Sequence, residues 1–248
     1  MHMTLATWNI HACIGADRRF LPERTVQVLQ ELDADVVALQ EVEHHTIDDR
    51  DLLDYLAEKA GLTAVAGPTL LRDTRHYGNA LLTRLPILRA NQIDLSLPRR
   101  EPRGAIEVLL DCHGQHIQVI ATHLGLRPGE RRRQVRRLLH LFQACPADIS
   151  VLLGDLNEWL LWGRPLRWLR RHFSPAPHPR TYPARFPLFA LDRIWVHPRA
   201  ALNTIGIHNS PATRIASDHL PLKAMLSLGC DPAPGANRLQ QPSMTSHP

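Results

Sequence analysis

The chain has 248 residues, 44% of them hydrophobic and 21% charged, with a net charge of +5. That length and apolar content suit one sizeable core, and no apolar run approaches the ~20 residues of a membrane-spanning helix. The four cysteines, Cys13, Cys112, Cys145 and Cys230, are scattered without a CxxC pair, which argues against a zinc knuckle or a disulfide framework; the basic excess favours anionic partners without choosing among them.

The N-terminal "MHMTLATWNI" enters a strand-like run at once, with no basic segment ahead of an apolar core. A soluble, cytoplasmic protein without a signal peptide is expected. Pro22 then opens a helix with Thr25, Val28, Leu29 and Leu32 on one face. "DVVALQE" is a continuous apolar run, the pattern of a strand buried on both sides. A second helix carries Leu53, Leu56, Ala57 and Ala60 at helical spacing. "NALLTRLPI" reads as a strand followed by a turn at Pro86. "AIEVLLD" and "HIQVIATHL" flank Cys112-His113-Gly114-Gln115, a hairpin signal.

In "PGERRRQVRRLLHLF" a helix places Val135, Leu138, Leu139 and Phe142 on one stripe, with Arg132, Arg133, Arg136 and Arg137 opposite. "ISVLLGD" is a further buried strand. "RPLRWLRRHF" is expected to align Trp162, Leu166, Leu169 and Phe173 on a helix face, and "LDRIWV" and "LPLKAMLSL" close the pattern as strands. Mixed strands and helices with an antiparallel hairpin point to an α/β sandwich, not to a purely parallel sheet. Residues 1–228 read as one domain. From Gly229 onward the chain is rich in Pro, Ser, Gln and Gly, and a disordered tail is expected over 229–248.

The strand ends share a chemistry. "TWNIH" supplies Asn9 and His11, "VVALQE" Glu41, "VIATHL" His123, "LLGDLN" Asp155 and Asn157, "ALDRIWV" Asp192, and "ASDHLP" Asp218 and His219. Loops at one edge of a layered sheet are where sites are built. Singly, each segment reads as a turn residue or a solvated charge, and Asp192-Arg193 as a structural ion pair. Jointly they favour a site. Glu41, Asp155 and Asp218 are hard oxygen donors suited to Mg²⁺ or Mn²⁺. His123 and His219 can donate to a phosphoryl group or move protons near neutral pH. Together they fit metal-assisted hydrolysis of a phosphate ester.

At "TWNIH", "LQEV", "YGNALLTRLPI", "THL", "GDLNEW", "LDRIWV" and "SDHLP", in that order from about Thr4 to Leu226, the sequence resembles the endonuclease/exonuclease/phosphatase superfamily, the DNase I-like fold. "GDLN" with "SDH" is the most specific part. The resemblance implies a four-layered α/β sandwich, two mixed sheets packed face to face with helices outside. It implies metal-site roles for Asn9, Glu41 and Asp218, with Glu41 the central Mg²⁺ ligand. Asp155 would orient or deprotonate the attacking water, and Asn157 would hold the phosphate and Asp155. His219 would bind the scissile phosphate, Asp192 would orient it and keep it protonated, and His123 would contact the phosphate or leaving group. Asn79, Arg103 and His11 are candidates for substrate contact. The chain departs from some nucleases of the family in carrying His11 where they have an acid.

Three activities are compatible with this pattern. The first is a metal-dependent phosphodiesterase or phosphatase. The second is a DNA or RNA nuclease. The third is a non-catalytic basic module that binds nucleic acid or anionic membrane. Arg131 to Arg137 with Arg164, Arg167, Arg170 and Arg171 read either as a phosphate- or lipid-contacting surface or as a solvated helix face. The tryptophans of "EWLLWGRPLRW" are expected to pack, with Trp159 a candidate pocket residue. Nothing in the sequence specifies an oligomeric state.

Overall fold

The computed structural model describes residues 1–47, 49–72, 75–144 and 147–229; the tail expected over 229–248 lies outside them apart from Gly229. The chain runs β1 (His2–Asn9), α1 (Pro22–Leu32), β2 (Val36–Glu43), β3 (Thr46–Ile47), β4 (Arg50–Asp51), α2 (Leu52–Ala60), β5 (Thr63–Arg72), β6 (Arg75–Thr83), β7 (Ile87–Asp94), β8 (Gly104–Cys112) and β9 (Gln115–His123). It continues with α3 (Pro128–Ala144), β10 (Ile149–Asp155), α4 (Arg164–Phe173), β11 (Asp192–His197), β12 (Leu202–Ile207), α5 (Thr213–Ala216) and β13 (Leu222–Ser227).

Two mixed sheets form, in the orders β12-β13-β1-β2-β6-β5 and β11-β10-β9-β8-β7. Their inner faces meet in a core that includes Leu5, Val36, Ile106, Val119, Val151 and Ile194. The outer face of the first sheet, with Trp8 and Leu39, packs on α1 and α2 through Leu29, Leu32 and Leu56. That of the second, with Ile120, Leu152 and Trp195, packs on α3 and α4 through Val135, Leu138, Leu166 and Phe173. The four layers expected from the resemblance are all present.

The period of two in each strand decides which residues reach the space between the sheets. Inward positions are 3 and 5 on β1, 117, 119 and 121 on β9, 151 and 153 on β10, and 194 and 196 on β11. The same parity brings Asn9, His123, Asp155 and Asp192 inward at one end of the sandwich. The hairpin between β8 and β9 pairs Cys112 with Gln115 across His113 (φ 55°) and Gly114 (φ 84°). Two positive φ values are what a two-residue turn matching strand twist requires.

"NALLTRLPI" is a strand to Thr83 and then a turn at Pro86, which carries the chain from β6 in the first sheet to β7 in the second. Two expectations need correction. Trp162 lies outside α4 and is 70% exposed, because Pro165 and the Gly163 cap start the helix only at Arg164. Arg131 is not part of the solvated arginine face. It is buried against Glu158, with Nε 3.1 Å and Nη2 3.3 Å from the carboxylate.

Candidate active site

Asp155 is the register partner of His123 on one side and of Asp192 on the other. Three chemically active side chains therefore stand abreast at the end of the second sheet. Gly154 is what allows β10 to run so close there: its φ is +141°, and a Cβ would lie 1.8 Å from the Thr122 carbonyl oxygen. From the facing sheet, Asn9 reaches across; its Nδ2 donates to Glu41 Oε1 at 2.9 Å and lies 3.3 Å from Asp155 Oδ2. Asn9 Oδ1 accepts the His11 amide at 3.0 Å, which leaves the Asn9 nitrogen facing the acids.

Glu41 reaches the site through a backbone irregularity. By parity it would follow Val37 and Leu39 toward the helices. A bulge between Leu39 and Val42 in the pairing with β6 re-aims it, at φ 57°. Left-handed backbone costs a non-glycine residue on the order of 1–2 kcal/mol, and Asn157 carries the same conformation at φ 50°. Burial raises the proton affinity of the Glu41 carboxyl, the Asn9 hydrogen bond lowers it, and the Asp155 and Asp218 charges raise it further. Several carboxylates thus converge where a cation would relieve their repulsion.

The two histidines are held in opposite charge states. His219 Nδ1 is 2.8 Å from Asp192 Oδ2, which also accepts from Thr181 Oγ1 at 2.5 Å. Burial disfavours the His219 imidazolium, but the Asp192 charge and hydrogen bond, with Asp155 and Asp218, outweigh it and carry its pKa up to about 10. Its Nε2 faces Asp155 Oδ2 at 3.8 Å. Trp8 Nε1 donates to the His219 carbonyl at 2.9 Å, and the Ser217 hydroxyl donates to the Asn9 carbonyl at 2.7 Å while accepting the His219 amide at 3.2 Å. His123 is fully enclosed. Burial pushes its pKa down to about 3, with Asp155 opposing and Arg103 and His219 reinforcing. Arg103 Nη1 donates to its Nδ1 at 3.1 Å, so the neutral ring carries its proton on Nε2, 3.6 Å from Asp155 Oδ2.

Asn157 donates its amide N–H to Asp155 Oδ1 at 2.9 Å and its side-chain NH₂ to the Leu124 carbonyl at 2.9 Å. Asp218 is half-exposed, 4.0 Å from His11 Nδ1. Asn79 donates to the Gly104 carbonyl at 3.0 Å and, like Arg103, is buried. One atom each from Asp155, Asp192 and His219 lie within 4.8 Å of one another, a buried group that could hold a metal ion. His219 Nδ1 and Asp192 Oδ2 are bonded to each other, whereas Asp192 Oδ1 is buried without a hydrogen-bond partner among the described residues. Cys13 is buried with its pKa pushed up to about 12, mainly by that burial, which removes it as a nucleophile.

Several contributors had no signal in the strand-end pattern. Ser217, Thr181 and Trp8 act through hydrogen bonds to the loop of His219 and to Asp192. Tyr77 holds Glu41 by its phenol, and Tyr182 lays its ring 4.8 Å from that of His219. Glu158, the last acid of "GDLNE", points away from the site. Its carboxylate binds Arg131 and the Leu160 amide, and Gly163 leaves room for it.

This fold is the four-layered, DNase I-like α/β sandwich. The Endonuclease/Exonuclease/phosphatase family pattern matches residues 6–219, and the chain belongs to that family. It is 32% identical over 244 residues to Uncharacterized protein YbhP of Escherichia coli (strain K12), covering 90% of this chain and 95% of that one. Two solved structures share its fold. D. rerio TDP2 complexed with single strand DNA product has a TM-score of 0.69 and 18% identity over 92% of this chain and 99% of that one. The Bacteroides thetaiotaomicron mannosyl-6-phosphatase has a TM-score of 0.71 and 17% identity over 91% and 100%.

Proposed function

We propose that this chain is a divalent-metal-dependent phosphoesterase that hydrolyses a phosphate ester by direct in-line attack of water. The observation that carries the reading is geometric: the buried Asp155 carboxylate is faced by two buried histidines, His123 Nε2 at 3.6 Å and His219 Nε2 at 3.8 Å, with Asn9 bridging it to Glu41. A buried imidazolium beside a buried carboxylate is the arrangement that accepts an anionic substrate and a proton from water together.

Glu41 and Asp218, with Asn9 orienting Glu41, would hold Mg²⁺ or Mn²⁺. Their hard oxygens suit that ion, and the raised proton affinity of Glu41 among Asp155 and Asp218 supports the fit. When bound, the ion supplies Lewis-acid neutralisation of a phosphate oxygen. Asp155, oriented by the Asn157 amide, takes the proton from the attacking water as the water oxygen bonds to phosphorus. His219 donates from Nε2 to a phosphoryl oxygen, and Asp192 positions it and stabilises its charge. The neutral His123 donates from Nε2 toward the same region, fixed by Arg103. The P–O bond to the leaving group breaks as the new one forms, without a covalent enzyme intermediate. In this reading Asn79 and Arg103 support the site, and His11 stands at its open side next to Asp218.

Cleavage of DNA or RNA is the second reading, favoured by the exposed arginines of α3 and α4. A non-catalytic binding module would fit a site with missing central residues, and here all of them are retained. A cytoplasmic location fits a chain in which, among the described residues, no helix is long and apolar enough to cross a membrane.

The test is a hydrolysis panel with added Mg²⁺ or Mn²⁺, covering bis-p-nitrophenyl phosphate, lipid and inositol phosphates, single- and double-stranded DNA, and RNA. The D155A/H219A double variant is the control. Turnover that vanishes in the variant and on chelation is expected; turnover that survives both would sink the reading.

A further inference from the structure

We infer that an apolar rim beside the site docks the protein on the surface of an anionic phospholipid bilayer. Leu160, Leu161 and Trp162 on one loop and Phe186 and Leu188 on another are exposed, Trp162 at 70%, Phe186 at 67% and Leu188 at 59%. Leu126, also exposed, lies on a third loop tied to the first through Arg131, which bonds both the Leu126 carbonyl and Glu158. The first two loops touch, since the Trp159 ring lies 4.7 Å from that of Phe189 and 6.0 Å from that of Tyr182. Tyr182 in turn packs on His219. The rim therefore begins one aromatic ring away from the site.

The rim is held outward by bonded backbone. Glu158 accepts the Leu160 amide at 3.2 Å, Arg170 Nη2 donates to the Leu161 carbonyl at 2.7 Å, and the Gly163 amide donates to the Leu160 carbonyl at 2.9 Å. On the other loop the Leu188 amide donates to the Tyr182 carbonyl at 2.8 Å and the Phe186 amide to Pro183 at 3.1 Å. A contiguous apolar patch on fixed loops marks an interaction surface.

Charge complementarity identifies the occupant. Arg100, Arg127, Arg132, Arg133, Arg136 and Arg164 line one groove, and Arg164 follows Trp162 by two residues. The acid lining that groove, Glu130, is paired with Arg100 at 3.1 Å. Arg185 lies over the Phe186 ring at 5.6 Å. Apolar side chains that enter the boundary between headgroups and acyl chains, flanked by arginines on anionic headgroups, are the pattern of a peripheral membrane surface. A single-stranded nucleic acid would also use arginines and aromatic rings. Four of the six rim residues are leucines, however, which offer no flat face for a base and gain from hydrocarbon. Docking stands on these observations alone. The substrate it implies, a phosphate ester of a membrane lipid, rests on the phosphoesterase reading.

The test is flotation of the full chain with vesicles of phosphatidylcholine alone or mixed with phosphatidylglycerol, alongside binding to a single-stranded oligonucleotide. Partition into the anionic vesicles is expected to exceed that into neutral ones by at least tenfold. It should fall about tenfold in W162S/L188S, whose substituted side chains are exposed, and in R132E/R133E. The D155N variant, which removes the proposed base, should float like the parent chain. Absence of flotation would overturn the proposal, and so would anionic binding that W162S/L188S leaves unchanged. Oligonucleotide binding that W162S/L188S weakens, without vesicle binding, would instead make the rim a base platform. Flotation without hydrolysis of any ester would sink the phosphoesterase reading and leave docking intact.

Discussion

His219 and Glu41 contribute through charge, and each is held by a different device. His219 stays an imidazolium because Asp192 and the neighbouring acids outweigh its burial. Glu41 is delivered by a bulged, left-handed backbone. Losing one such charged group from a preorganised site typically costs about 3–4 kcal/mol in the transition state, or roughly 10²- to 10³-fold in kcat. His219→Ala and Glu41→Ala are each expected to lose that much or more on bis-p-nitrophenyl phosphate while keeping the parent's circular dichroism spectrum, with His219→Ala also lowering the melting temperature because the Asp192 charge is left buried and unpaired. A variant that keeps full turnover would remove that residue from the site.

One strand end and one loop depend on residues that do no chemistry. Gly154 sits where β10 approaches Thr122 too closely for any Cβ. Gly154→Ala is expected to destabilise the fold by about 3 kcal/mol or more, read as a lowered urea midpoint, because strain and a backbone clash add. The loop after β10 is wrapped round Glu158 and Arg131, both buried. Removing one partner of a buried ion pair leaves the other uncompensated and costs ~3–5 kcal/mol. Glu158→Ala should therefore destabilise more than the Glu158→Ala/Arg131→Met double change. A double loss equal to the sum of the two single losses in the urea titrations would show that the pair is not coupled. The element pattern itself was largely legible in the sequence: β2 is buried on both faces, the Val135-Leu138-Phe142 stripe faces the core, and the His113-Gly114 turn closes a hairpin. Strands β3, β4, β5, β7 and β12 and the short α5 carry no clear pattern in the sequence, and Trp162 lies off the helix face expected for it.

For the molecule as a whole, two neutral histidines, one buried and one half-buried, contribute to the acid limb of stability. His123 is pushed down to about 3 by burial. His178 is also at about 3, chiefly by burial with Arg193 and Arg170 nearby, its ring 4.5 Å from that of Trp195. On unfolding both regain an ordinary pKa near 6.5, so the unfolded chain binds more protons between pH 6.5 and 3. Stability should be complete above pH 6.5 and fall as pH drops, by about 2 kcal/mol for each histidine at pH 5. His219 acts with the opposite sign: its stabilisation is complete below pH 6.5 and is lost as pH rises toward 10. Urea midpoints at pH 5, 7 and 9 would show a maximum near neutrality. A midpoint at pH 5 equal to that at pH 7 would contradict the neutral state of both histidines.

The sequence by itself determined the chemistry available at the strand ends. Asn9, Glu41, His123, Asp155, Asn157, Asp192, Asp218 and His219 all stand at or near a strand end, and strand parity carries Asn9, His123, Asp155 and Asp192 to the inner face. Local pattern is enough for this because the period of a strand is a property of the backbone alone. Tertiary structure decided the rest. Which histidine is charged depends on Asp192 and Arg103, 27 and 20 residues away in the chain. The aim of Glu41 depends on how β6 pairs with β2, and the burial of Arg131 on a carboxylate 27 residues later. Charge state and side-chain direction are set by burial and by partners distant in sequence, and local periodicity carries no record of either.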